Sequence, residues 1–196
     1  MNYASIKSSI ANIYSKPSFK SELITQAFIF EKVKINDKKN NWYFIEQSDQ
    51  YCGWIHKFYL SYEIIEVNIM NTNFFINAYR TNKLADNICI IPFSGEFRIV
   101  DRKKDYSTIL LHDSKLAYIK NIDRSIDKDK RLEIIKASMM MLNIPYLWGG
   151  KSIYGYDCSG FVQTIFKSVG INLPRDSRDQ CLYLKKINNN KTCKNP

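Results

Sequence analysis

Residues 145–177 read PYLWGGKSIYGYDCSGFVQTIFKSVGINLPRDS, and this stretch decides how the last third of the chain folds. Glycines at 149, 150 and 155 announce a flexible or tightly turned loop. From Cys158 onward, Phe161, Val162, Ile165, Phe166 and Val169 recur at helical spacing, with Gly170 where a C-terminal cap belongs. The pattern predicts a helix over 158–169 with Cys158 in its first turn. The unpaired N–H groups of a helix start carry partial positive charge, which stabilises a thiolate and lowers a cysteine pKa. The same donors, that of Cys158 among them, suit the oxyanion formed when sulfur attacks a carbonyl.

A cysteine is ordinarily a small buried hydrophobe. Cys158 departs from that reading because it follows a glycine-rich loop, opens an amphipathic helix and stands between the polar residues Asp157 and Ser159. Cys52, Cys89, Cys181 and Cys193 have no such setting and read as structural or incidental. Five cysteines without a C-x-x-C pair leave at least one thiol free and fit a reducing compartment.

Upstream, the first 120 or so residues alternate in short segments broken by turns. Strands are predicted at 10–14, 23–30, 32–35, 42–46 and 53–56, with turns at 15–18 and 36–41. The pieces ANIYSKPS, NNWYFIE and CGWIHKFYL resemble bacterial SH3 domains. A weaker copy follows: Asn77-Ala78-Tyr79-Arg80 echoes Asn12-Ile13-Tyr14-Ser15, and Leu116-Ala117-Tyr118-Ile119 echoes Cys52-Gly53-Trp54-Ile55. Tyr14 and Trp54 stand 40 positions apart and Tyr79 and Tyr118 stand 39 apart, spacing that supports a tandem repeat over a chance likeness. A helix is predicted over 126–143 from Leu132, Ile135, Met139 and Leu142, capped by Asp123 or Ser125 and closed by Pro145. Met139, Met140 and Met141 read as a core stripe. The tail LKKINNNKTCKNP reads as a polar loop.

The blocks YLWGG, DCSGF and LPRDSRDQ, in that order, resemble the NlpC/P60 family of papain-like cysteine peptidases. The likeness covers about the first half of that family's catalytic domain. The expected fold class is α+β: two small SH3-like β-barrels over 1–64 and 65–124, then over 125–196 the helical N-terminal half of a papain-like domain. Two SH3-like modules ahead of such a domain resemble γ-D-glutamyl-L-diamino acid endopeptidases, which cut peptidoglycan stem peptides after D-glutamate and prefer a free N-terminal L-alanine. The resemblance implies that Cys158 attacks the amide carbonyl and that the Tyr146 phenol helps hold the oxyanion. It implies that Asp157 and Ser159 meet the substrate's amine or backbone, and that Arg175 and Ser177 line the same pocket. Arg175 would bind a D-glutamate carboxylate or hold Asp157. Tyr51 and Glu22 are candidate contacts from the first module, with exposed loop residues the alternative. Apart from the resemblance, Tyr146 reads as a packing aromatic and Arg175 as a capping or surface charge.

A cysteine peptidase needs a base, usually His, to move the thiol proton. The chain has two histidines, His56 and His112, both upstream. The expectations are therefore a peptidase lacking its His-bearing segment, whether as a truncated product, a fragment or one half whose complement a second polypeptide supplies. The alternatives are a non-catalytic wall-peptide binding module and a nonfunctional remnant. The helix over 158–169 would then show its apolar face to water unless another chain or a rearranged module covers it.

Composition narrows the remaining classes. A net charge of +10 is spread along the chain, apart from Lys38-Lys39 and Arg102-Lys103-Lys104, which reads as a solvated face and not a nucleic-acid groove. Attraction to anionic wall polymers stays open. The start MNYASIKSSIANIYSK lacks an apolar core of signal-peptide length, and no window reaches membrane-spanning length, so a cytoplasmic location without membrane partners is expected. No metal or cofactor is implied; peptidoglycan-derived peptides are the expected partners.

Overall fold

The computed structural model describes residues 2–122 and 129–188, with side chains to residue 185. Seven strands form the first sheet: β1 (Tyr3–Ile6), β2 (Ile10–Tyr14), β3 (Leu23–Phe28), β4 (Lys32–Lys39), β5 (Trp42–Glu46), β6 (Cys52–His56) and β7 (Leu60–Ser61). Their hydrogen-bonding order is β3-β2-β6-β5-β4-β1-β7, antiparallel in every pair. Alternation does the sorting: β2 and β6 each bury every second residue, so Ala11, Ile13 and Ile55 meet Ala4, Ile6, Val33 and Ile45 in one core.

The predicted turn at 36–41 is shorter than expected. β4 runs to Lys39, which pairs with Trp42 across the two-residue turn Asn40-Asn41, and Asn40 adopts φ 53°. Both faces of this hairpin arm are largely solvated, so its polar residues carry no alternation to be read.

A second group follows: β8 (Ile69–Met70), β9 (Phe75–Tyr79), β10 (Asn87–Pro92), β11 (Glu96–Phe97), β12 (Ile99–Arg102), β13 (Tyr106–Leu110) and β14 (Leu116–Lys120). Five of these make a sheet in the order β10-β9-β14-β13-β12, while β8 and β11 pair separately. Neither large sheet closes on itself in its pairing order. The spacing repeat has a physical counterpart: Tyr14 is the direct cross-strand partner of Trp54, and Tyr79 is that of Tyr118. Ile29 and Phe30, just after β3, and Ile65, in the link between the two groups, enter the core of the second with Ile91, Phe97, Ile109 and Ile119.

Among the described residues three α-helices complete the fold: α1 (Lys130–Met140), α2 (Cys158–Lys167) and α3 (Ser177–Asn188), with the small hairpin β15 (Lys151–Ser152) and β16 (Gly155–Tyr156) leading into α2. α1 starts later than predicted and is capped by Asp129, whose carboxylate accepts from the Arg131 N–H. The expected caps Asp123 and Ser125 lie outside the described residues, as does Cys193. The predicted core stripe of Met139, Met140 and Met141 holds in part: Met141 is buried and Met140 packs against the same core, but Met139 is 62% exposed; Leu132, Ile135 and Leu142 are exposed as well, and α1 packs through Ala137, Met141 and Ile134. The expected exposure of the helix at 158–169 gives way to partial cover. Ile165 is buried against Phe93, Met141 and Tyr156, and Phe161, Val162, Phe166 and Val169 are half-buried. The tail read as a loop continues α3 through residue 188.

Candidate active site

Cys158 is the first residue of α2 and is exposed. Its helix is held at both ends. At the start, Asp157 adopts an extended conformation and its Oδ1 accepts the Gly160 N–H at 2.7 Å. At the end, Gly170 at φ 75° allows the Gly170 N–H to reach the Lys167 carbonyl and the Ile171 N–H to reach that of Phe166, a Schellman closure. Gly160 has to be glycine for another reason: a Cβ there would lie 2.3 Å from the Gly150 carbonyl oxygen. Gly149, at φ 72°, presses as closely on β3, where a Cβ would lie 2.5 Å from the Leu23 carbonyl oxygen.

Asp157 is the hub of this corner. Its Oδ1 also accepts from Arg175 Nη1 at 3.0 Å and from the Ser159 hydroxyl at 3.3 Å, while Oδ2 accepts from Arg175 Nη2 at 2.6 Å and from the Gly149 N–H at 3.0 Å. Burial alone would raise the carboxyl pKa; the Arg175 guanidinium and the two backbone donors outweigh it and hold the group below its ordinary value. Arg175, 2% exposed, spends its remaining donors on Thr25 Oγ1 and Ser159 Oγ. Sequence reading assigned Asp157, Ser159 and Arg175 to the pocket. The first two line it, but all three are chiefly engaged with one another.

The cleft beside Cys158 holds about 210 Å³ and is lined by Glu22, Tyr51, Tyr146, Trp148, Asp176 and Ser177 among others. Tyr146 is held by a parallel bridge to Tyr156, and its side chain is largely exposed. Ser177 opens α3. Tyr51 donates its hydroxyl to Asp176 Oδ1 at 3.3 Å, and burial, aided by the Asp176 charge, pushes the phenol pKa up to about 12. Tyr51 therefore stays a neutral donor at working pH. Trp148 donates its indole N–H to Glu22 Oε1 at 2.8 Å, tying the glycine-rich loop before α2 to the residue that leads into β3.

Asp176 and Trp148 were not singled out from sequence. Trp148 sits within the YLWGG block, and Asp176 stands beside Arg175 in PRDS, so both were in view. Which neighbour turns inward and which faces the cleft is a tertiary matter. The histidines lie elsewhere. His56 packs among Trp42, Phe19 and Phe58. The His112 Nε2 is 2.7 Å from Ser5 Oγ; that hydroxyl already donates to the Glu63 carbonyl, so the ring nitrogen is the donor to it. Among the described residues no group of His, Cys, Asp and Glu could hold a metal ion, and no helix is long and apolar enough to cross a membrane.

These features define a sheet-rich chain with a cysteine-centred cleft roofed by its first β unit. Residues 143–195 match the model of the NlpC/P60 family, and residues 13–57 match that of the bacterial dipeptidyl-peptidase Sh3 domain. The chain carries both domains. It is homologous to the γ-D-glutamyl-L-lysine dipeptidyl-peptidase of Bacillus cereus, 26% identical over 185 residues, covering 82% of this chain and 54% of that one. The protein of the same name from Bacillus subtilis is 28% identical over 171 residues, covering 80% and 56%. The chain thus spans about half the length of these curated relatives. An NlpC/P60 family crystal structure from Bacillus cereus superposes with a TM-score of 0.77 at 22% identity, over 91% of this chain and 76% of that one, a likeness of fold.

Proposed function

We propose that the Cys158 cleft acts on peptidoglycan stem peptides, with Cys158 attacking the amide carbonyl that follows γ-D-glutamate. The observation that carries this reading is an exposed thiol at a capped helix start, opening on a cleft whose lining also holds three carboxylates, Glu22, Asp157 and Asp176. The free N–H groups of the helix start suit the developing oxyanion, with the Tyr146 phenol as a further donor.

Glu22 and Asp176 are the carboxylates suited to a free N-terminal ammonium, Asp176 being oriented by the Tyr51 hydroxyl. Asp157, Ser159 and Arg175 take a positioning role, since their polar atoms already hold the helix start and the Gly149 turn. Ser177 is the remaining polar lining residue. The domain division 1–64, 65–124 and 125–196, with a second SH3-like unit in the middle and a papain-like segment last, is part of the same reading.

The base is the open element. Neither histidine of the chain lies at Cys158, so in this proposal it comes from outside residues 1–196, in a continuing segment or a second polypeptide. This observation also favours a second reading, a module that binds wall peptides without cutting them. Incubation with L-Ala-γ-D-Glu-diaminopimelate separates the two. Release of L-Ala-D-Glu that disappears in Cys158→Ala supports hydrolysis; saturable heat without release supports binding. Neither heat nor release would refute both.

A further inference from the structure

Farther along α2, two adjoining cavities occupy the junction of the first sheet, the Gly95–Glu96 loop and the helix. The inner one, of about 80 Å³, is lined by Glu31, Ser48, Asp49, Lys151, Gln163 and Lys167. The outer one, of about 240 Å³, shares Glu31, Ser48 and Lys167 and is also lined by Glu66 and Glu96. Lys151 is 9% exposed. Among the described residues its ammonium has no direct hydrogen-bond or ion-pair partner, and it stands 5.5 Å from the centre of the Phe28 ring. A buried ammonium in that state is costly unless something polar completes its shell.

The opposite charges stand around the same space but are committed elsewhere only in part. Glu31 accepts from Gln47 Nε2 at 2.5 Å and from the Phe28 N–H at 3.1 Å. Asp49 accepts from Gln163 Nε2 at 2.7 Å and from the Tyr51 N–H at 3.0 Å. Each carboxylate oxygen keeps a lone pair. Lys167 reaches Glu96 at 3.3 Å and has further donors free for the cavity. Two cations and two carboxylates balance, so a lone anion or a lone cation is opposed by half of the lining. A molecule bearing both signs a few ångströms apart meets all four groups.

We infer that the inner cavity is a binding site for a small zwitterionic α-amino acid, with its carboxylate on Lys151 and Lys167 and its ammonium on Glu31 and Asp49. At about 30 Å³ per water the space accommodates about two or three waters, or a solute of about five non-hydrogen atoms, the size of glycine. None of its lining residues lines the Cys158 cleft, so the inference stands apart from the proposed hydrolysis.

The test is a calorimetric titration of the full chain with glycine. A saturable isotherm with Kd on the order of 1 mM is expected for so small a solute. Lys151→Met should weaken it at least about tenfold, while Asp176→Asn in the cleft leaves it within about twofold. Acetate, which lacks the ammonium, should bind at least about tenfold more weakly than glycine. Lys151→Met removes a buried charge without a direct partner and should fold. Should it fail to, Lys167→Met reads the same carboxylate contact, and a loss of about threefold or more is expected. Glycine that does not saturate, that binds Lys151→Met as tightly, or that is lost in Asp176→Asn would overturn the inference and leave the cavity to water.

Discussion

At Asp157, one carboxylate caps α2, holds the Gly149 turn and neutralises the most buried arginine of the corner. Removing Arg175 leaves that carboxylate buried without its cation, so Arg175→Met is expected to destabilise by about 3–5 kcal/mol in urea denaturation. Arg175→Lys should recover little, because an ammonium cannot serve Thr25, Ser159 and both Asp157 oxygens from one fork. The same residue sets an acid limit. With its folded pKa held below the ordinary carboxylate range by Arg175 and two backbone donors, Asp157 contributes stability that is present above its unfolded pKa and is lost as pH falls through the folded value. Glu31 acts in the same direction: burial opposes ionisation, but Lys151, Lys167 and the Gln47 amide outweigh it and lower its pKa. Thermal melts should fall between about pH 5 and 2, and Asp157→Asn should flatten part of that slope. A slope unchanged in Asp157→Asn would remove Asp157 from this account.

At the scale of elements, glycines separate strain from contact. Nothing lies within 4 Å of where a Cβ on Gly170 would stand, so Gly170→Ala should cost only the left-handed backbone, about 1–2 kcal/mol. Gly149→Ala adds a collision with the Leu23 backbone and should cost more, shifting the urea midpoint further and loosening the loop from β3. α1 offers the complementary test. Ile135 is 57% exposed, so Ile135→Lys should change stability by no more than about 0.5 kcal/mol. Ala137, 1% exposed, should not tolerate enlargement, with Ala137→Leu costing about 1–3 kcal/mol.

Over the whole molecule, the first sheet is part of the cleft. Arg175 reaches Thr25, Gln163 reaches Asp49, the Lys151 N–H reaches Gln26 and Trp148 reaches Glu22, so β3 and the loop before β6 set the position of α2. The first β unit lines the cleft with Glu22, Ile24 and Tyr51, and Asp176 lies within reach of Tyr51. In the proposed function, an N-acetylated stem tripeptide should therefore bind at least about tenfold more weakly than one with a free amino terminus. Equal affinities in calorimetry would mean that Glu22 and Asp176 do not read the ammonium.

Strand alternation, the paired Tyr–Trp and Tyr–Tyr spacings, the glycine-framed helix start and Cys158 itself were legible in the amino-acid order, because each is a local preference written within a few residues. What the order could not settle was facing. Leu132, Ile135, Met139 and Leu142 form a sound helical stripe, yet the neighbours that α1 packs against lie on its other side. Asp157 and Asp176 are chemically alike, but only the arrival of Arg175 from 18 residues downstream commits one to the frame and leaves the other for the cleft. Burial and pairing across distant segments are collective properties, and they exist only once the sheets and helices have met.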